Sequence, residues 1–174
     1  PMKIALAKFK RDGGRFVSVN PVRSGYSAIA DEWVPIRPGT DGAFLLAVIH
    51  EILAKGLYDR DFLVRYSNAG QLVNVDAACD EFGFFVHTEV PEEEACYEPQ
   101  DKLWWDRNTG KPVVTHTPGA DPFLLGEFTL ADGTPVKPSF QLLQDRVKDY
   151  TPEWASQITG IPADTIRALL DARR

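Results

Sequence analysis

The chain has 174 residues, 44% of them hydrophobic and 11% aromatic, which is enough apolar mass for a packed core and excludes general disorder. A formal charge of −6 and a pI near 5.1 exclude a protein built to wrap a nucleic-acid backbone, although one local Arg or Lys can still meet a single phosphate. No apolar run approaches the roughly 20 residues that span a bilayer, and the first residues carry no secretory pattern.

In chain order, residues 3 to 11 set Ile4, Ala5, Leu6, Ala7 and Phe9 among lysines, the pattern of a helix with one apolar stripe. Asp12-Gly13-Gly14 ends it, and RFVSV (15–19) reads as a short β-branched strand. Helix, glycine turn and strand make half of a βαβ crossover, the unit of a parallel sheet. Asn20-Pro21 stops the strand. A helical turn is expected within SAIADEW and a strand over WVPIR, with Pro35 removing one backbone donor. Pro38-Gly39-Thr40-Asp41 makes a second tight turn into the helix DGAFLLAVIHEILAKG. Thr40 or Asp41 is its expected cap, and positions 44, 45, 48, 49, 52 and 53 are its expected apolar face. Gly56 stops that helix, and YDRDFLVRYS reads as a short one capped by Asp59.

From 68 to 140 the helical period fades. KLWWDRNTGKPVV and GEFTLADGTPVKP read as two hairpins, the second with Ala131-Asp132-Gly133 at its tip. Helical grammar returns with QLLQDRVKDY. It continues with TPEWASQITG, where Thr151 is the cap and Pro152 the first helical residue, and Ile161-Pro162-Ala163-Asp164 starts a last helix. The expected fold class is therefore α/β: a partial parallel sheet flanked by helices, a dinucleotide-binding-like cofactor domain, carrying a hairpin-rich insertion. Its segments are 1–67, 68–140 and 141–174. Both ends fall inside helical patterns without caps, which is expected of a fragment.

Scattered His50, His87 and His116 make no ligand cluster, and His50 reads as a satisfied helix residue. Cys79 and Cys96 lack the spacing of an iron–sulfur or zinc site; a disulfide between them stays open beside two reduced, inert thiols. Glu92 to Glu94 and Glu153 read as solvated charge, and Trp33, Trp104, Trp105 and Trp154 as core or hairpin residues.

The two turns hold the candidate chemistry. Parallel sheets bind ligands beyond the carboxyl ends of their strands, where residues 20–24 and 39–41 lie. Asn20 and Ser24 offer short polar groups for ribose or phosphate, and Arg23 a forked phosphate donor. Gly39 admits a ligand to the backbone, Thr40 adds a hydroxyl, and the following helix supplies free N–H groups. Asp41, as a pure acceptor, complements the adjacent donors of a guanine edge; it serves equally as a plain helix cap.

The segment from Asn20 to Ser67 resembles the catalytic subunits of the dimethyl sulfoxide reductase family, the bis(molybdopterin guanine dinucleotide) enzymes. The resemblance rests on Asn20-Pro21-Val22-Arg23-Ser24, Ala30-Asp31-Glu32-Trp33 and Pro38-Gly39-Thr40-Asp41 before an apolar helix ending in GLYD. A later stretch at Thr151, Pro152, Glu153, Ala155, Thr159, Gly160, Ile161 and Pro162 is similar to that family as well, giving roughly 75 matched residues in order.

The resemblance implies that Asn20, Pro21, Val22, Arg23 and Ser24 line the ribose and phosphate side of one guanine dinucleotide. It implies that Gly39, Thr40 and Asp41 contact the same group, the aspartate at the guanine edge. Ala30-Asp31 and the GLYDRDFL and TPEW segments would serve packing and capping. The implied cofactor is molybdopterin guanine dinucleotide with molybdenum or tungsten; a [4Fe–4S] cluster and the metal ligand would lie outside this chain. No catalytic or metal-ligating residue is expected within it. Expected partners are the remaining domains of the enzyme, a subunit for electron transfer and, through a bare strand edge, a second copy of the chain. Substrate and compartment, cytoplasmic or periplasmic, stay undetermined. The alternative is a non-catalytic nucleotide-binding or subunit-assembly module, and the plainest reading is an α/β domain whose turns are only turns.

Overall fold

The computed structural model describes residues 2–88 and 102–171. The chain is mixed α/β and divides into two compact units, Pro1–Leu57 with Val147–Arg174, and Tyr58–Arg146. The segment Tyr58 to Ser67, read from sequence with the first part, belongs to the second unit.

In the first unit, α1 (Met2–Arg11) leads through the glycine turn to β1 (Val17–Val19). A 3-10 turn (Gly25–Ile29) follows, then β2 (Glu32–Val34), α2 (Asp41–Ala54), α5 (Pro152–Thr159) and α6 (Ala163–Asp171). β1 and β2 are parallel, with Val17 opposite Glu32 and Val19 opposite Val34. Both are shorter than the sequence suggests, since Phe16 already turns to Asp31 and Pro35 ends β2. This ladder is two strands wide, and the other ladders among the described residues are antiparallel.

The core of this unit is Val34, Ile36, Ala47, Ala155, Ile161 and Ile166, with Phe44 and Val48 packed on it. The α2 face differs from the expected one. Leu45 is 54% exposed, whereas Glu51 is buried because Lys55 (3.2 Å) and Arg167 of α6 (3.7 Å) supply its countercharge. Arg167 also pairs with Glu153 and Asp164, so Glu153 does more than face solvent. The α5 start follows its sequence closely: Thr151 accepts from Trp154 N–H at 3.2 Å and Pro152 opens the helix. His50 is satisfied through Nδ1, 3.0 Å from the Val147 carbonyl.

The second unit begins with α3 (Arg60–Tyr66), capped by Asp59, which accepts from Phe62 N–H at 2.9 Å. The two hairpins form as β4 (Leu103–Trp105) with β5 (Pro112–Val114), and β6 (Phe128–Thr129) with β7 (Pro135–Pro138). An unanticipated strand, β3 (Leu72–Asn74), pairs with β7 and makes a three-stranded sheet of the second hairpin. The chain then enters α4 (Ser139–Val147), two residues ahead of the expected start. Cys96 and Glu92 to Glu94 lie outside the described residues.

Candidate functional site

Because β1 and β2 run parallel and side by side, both turns leave the same carboxyl edge. The first turn is fixed at its first residue. Asn20 N–H extends the ladder to the Val34 carbonyl at 3.1 Å, and Asn20 Oδ1 accepts from Val22 N–H at 3.1 Å. The Asn20 carbonyl accepts from the Trp33 indole N–H at 2.9 Å. The Asn20 side-chain oxygen is therefore committed to the turn itself, which leaves only its amide N–H groups for a ligand. Beyond it, Pro21, Val22, Arg23 and Ser24 are all exposed. Ser24 makes no side-chain capping bond, and the Arg23 guanidinium has no partner among the described residues. The turn is tied down again at buried Ser27, whose hydroxyl lies 2.6 Å from that of Ser18.

The second turn differs from expectation in its capping. Thr40 is the cap residue of α2 by position, yet its hydroxyl donates to the Arg37 carbonyl at 2.7 Å instead of accepting from the helix. Asp41 is already the first helical residue, exposed, and its carboxylate has no partner among the described residues. There it complements the positive end of the helix. Gly39 has φ +79°, a conformation that disfavours side chains, and neither Gly39 nor Gly42 has a neighbour within 4 Å of a built Cβ. The turn backbone is thus open to a ligand.

Two residues that the sequence reading did not connect to the turns, Arg37 and Trp33, pin them. Arg37 donates through Nη1 to the carbonyls of Gln157 (2.9 Å) and Ile158 (3.1 Å), while its backbone N–H donates to Thr159 O at 3.0 Å. With Gly160 N–H on Ser156 O, all four last carbonyls of α5 are satisfied. Trp33, read as a core or hairpin residue, reaches the first turn through its indole N–H. The available signal was chemical: a half-buried indole needs an acceptor, and an arginine suits a helix C-terminus.

Asp31 is a latch. Its carboxylate accepts from Lys10 Nζ at 2.8 Å and from Phe16 N–H at 2.8 Å, and these bonds, the Lys10 one foremost, hold its pKa below the ordinary aspartate value. In the second unit, buried Asp106 organises its hairpin loop. It accepts from the backbone N–H groups of Asp121 (2.8 Å), Asn108 and Thr109 and from the Thr109 hydroxyl (2.8 Å). The Asp121 N–H leads in lowering its pKa. Among the described residues, no three His, Cys, Asp or Glu side chains gather to hold a metal ion, and no helix is long and apolar enough to cross a membrane.

No family model matches the chain. It is 66% identical over 169 residues to a sulfite dehydrogenase subunit of Allochromatium vinosum, covering 97% of this chain and 18% of that protein. It is 30% identical over 200 residues to the alpha subunit of perchlorate reductase of Dechloromonas aromatica, covering 94% and 21%. It is 27% identical over 161 residues to ArrA, the molybdopterin-containing subunit of arsenate respiratory reductase of Chrysiogenes arsenatis, covering 89% and 13%. Acetylene hydratase from Pelobacter acetylenicus shares the fold, with a TM-score of 0.52 at 19% identity over 97% of this chain and 14% of that one. The chain thus spans about a fifth or less of the length of these relatives. These relatives are catalytic subunits of molybdopterin enzymes of the dimethyl sulfoxide reductase family, and the chain matches a segment of them.

Proposed function

We propose that this chain is the part of a molybdopterin-dependent oxidoreductase that holds the guanine end of one molybdopterin guanine dinucleotide. The observation that carries this reading is the parallel β1–β2 pair, which brings both turns to one edge with Arg23 and Asp41 exposed and, among the described residues, uncommitted. The donor set fits the group. Arg23 complements a phosphate, Asp41 the N1–H and amino edge of guanine, and the open N-terminus of α2 any remaining negative charge.

The cofactor supplies electron or oxygen-atom transfer at its metal, molybdenum or tungsten; this segment supplies orientation and charge and performs no redox step alone. The metal ligand, any [4Fe–4S] cluster and the electron-transfer subunit belong to other parts of the assembly. Within this reading the two-stranded ladder is part of a wider parallel, dinucleotide-binding-like sheet. The 66% identity to a sulfite dehydrogenase subunit makes sulfite the first substrate to assay.

The test uses the full-length subunit that contains this segment. Acid hydrolysis should release guanine nucleotide in proportion to bound molybdenum or tungsten. An Asp41→Asn variant, losing a charge-assisted acceptor pair, should retain about tenfold less of it after purification. Full retention by that variant would refute the role of Asp41, and a full-length protein free of guanine, pterin and metal would leave the nucleotide-binding or assembly module as the better reading.

A further inference from the structure

The first turn has little to hold it except polar bonds. Residues 20–26 are exposed throughout, with Val22 at 62% and Tyr26 at 43%, so no apolar side chain there anchors the backbone in the core. Its fixed points are Asn20 at one end and Ser27 at the other. At Asn20, two of three bonds are local or part of the ladder. The third comes from Trp33 on the neighbouring strand, at 2.9 Å, to the carbonyl that precedes Pro21. That carbonyl sets the direction in which the chain leaves β1, and proline fixes the next φ.

We propose that Trp33 is a positioning residue for Arg23: its indole N–H fixes the Asn20 carbonyl and so the path of the turn that presents the guanidinium to an anionic ligand. This rests on the reading that the turns hold a guanine nucleotide. A purely packing role for the half-buried ring would survive in Trp33→Phe, whereas the hydrogen bond would not. The ring therefore separates the two roles.

The experiment titrates the full-length subunit that contains this segment, freed of cofactor and ¹⁵N-labelled at tryptophan, with GDP as the probe and follows binding by NMR, for wild type, Trp33→Phe, Arg23→Ala, Asp41→Asn and the Trp33→Phe/Arg23→Ala double variant. Trp33→Phe should weaken GDP binding about threefold to tenfold, the worth of one hydrogen bond. It should add nothing once Arg23 is gone, because positioning acts through that residue. In the wild type, the Trp33 indole resonance should shift as GDP binds, a readout that needs no variant to fold.

Binding by Trp33→Phe within about twofold of wild type, while Arg23→Ala loses affinity, would overturn the positioning role and leave the nucleotide site standing. So would full additivity in the double variant, or an indole resonance unmoved at saturation. Wild-type affinity in both Arg23→Ala and Asp41→Asn, or no uptake of GDP by the wild type, would remove the nucleotide site and this role with it.

Discussion

Arg37 stitches the second turn to the far end of the first unit, and its removal should be felt there. Its Nη1 satisfies two of the four terminal carbonyls of α5, at 2.9 and 3.1 Å, and its charge sits at the negative end of that helix. Arg37→Met keeps much of the stem and deletes the guanidinium. Hydrogen bonds from a charged donor contribute about 1.5–3 kcal/mol each where water is excluded, but this residue is exposed, so water replaces most of each bond. Adding a helix-end charge effect of about 0.3–1 kcal/mol, the expected loss is about 1.5 kcal/mol. With a urea slope of roughly 2 kcal/mol/M, the midpoint should fall by about 0.7 M.

Hydrogen exchange localises the effect. Amides of α5 and of the loop 35–41 should exchange about tenfold faster in Arg37→Met, while β3, β6 and β7 of the other unit keep their protection. The backbone bond from Arg37 N–H to Thr159 O survives the substitution, so the turn loosens without detaching. A midpoint shift below about 0.3 M, or faster exchange spread equally over both units, would refute the capping account.

Two further outcomes are expected. The pKa of Asp106 is lowered in the folded chain, so protonation favours unfolding: its contribution is complete above the ordinary aspartate pKa of about 3.9 and is lost as pH falls through the lower folded value. Asp106→Asn should accordingly be less stable than wild type at pH 7 and lose less than wild type between pH 5 and pH 2, by urea unfolding; parallel acid profiles would contradict this. Among the described residues β1 pairs on one side only, and we propose that a second copy of the chain adds to the free edge. Light scattering at high concentration should then give a mass above that of the monomer, and a clean monomer would dismiss the idea.

What was legible in the sequence was local. Thr151 with Pro152, Asp59 before its helix and Asp132-Gly133 at a hairpin tip each act within a few residues, so composition alone identifies them. The pairing of β3 with β7 joins residues about sixty positions apart, and a three-residue strand carries no period to announce it. The inward turn of Glu51 depends on Arg167, which comes from α6, so helical periodicity alone could not assign that face. At the candidate site, the two turns stood out because Asn-Pro and Pro-Gly punctuate the chain. That Asn20 Oδ1 bonds its own turn did not, since the same atom serves a ligand or an Asx turn equally well.

The division of labour follows from the size of the ladder. Strands of three residues in a parallel pair are among the weaker ways to fix a backbone, and two strands do not make a stable sheet by themselves. The edge from which both turns depart must therefore be held by other bonds. Asp31 ties β2 to Phe16 and to Lys10 of α1, Trp33 ties β2 to the first turn, and Arg37 ties the second turn to α5. Asp31 and Trp33 have used their polar groups on the protein, and Arg37 has used its Nη1. Arg23 and Asp41, which a ligand would need, have used none among the described residues. A site of this kind requires both sets: a group bound to the scaffold cannot also bind a nucleotide, and a free group on an unbraced turn cannot be aimed.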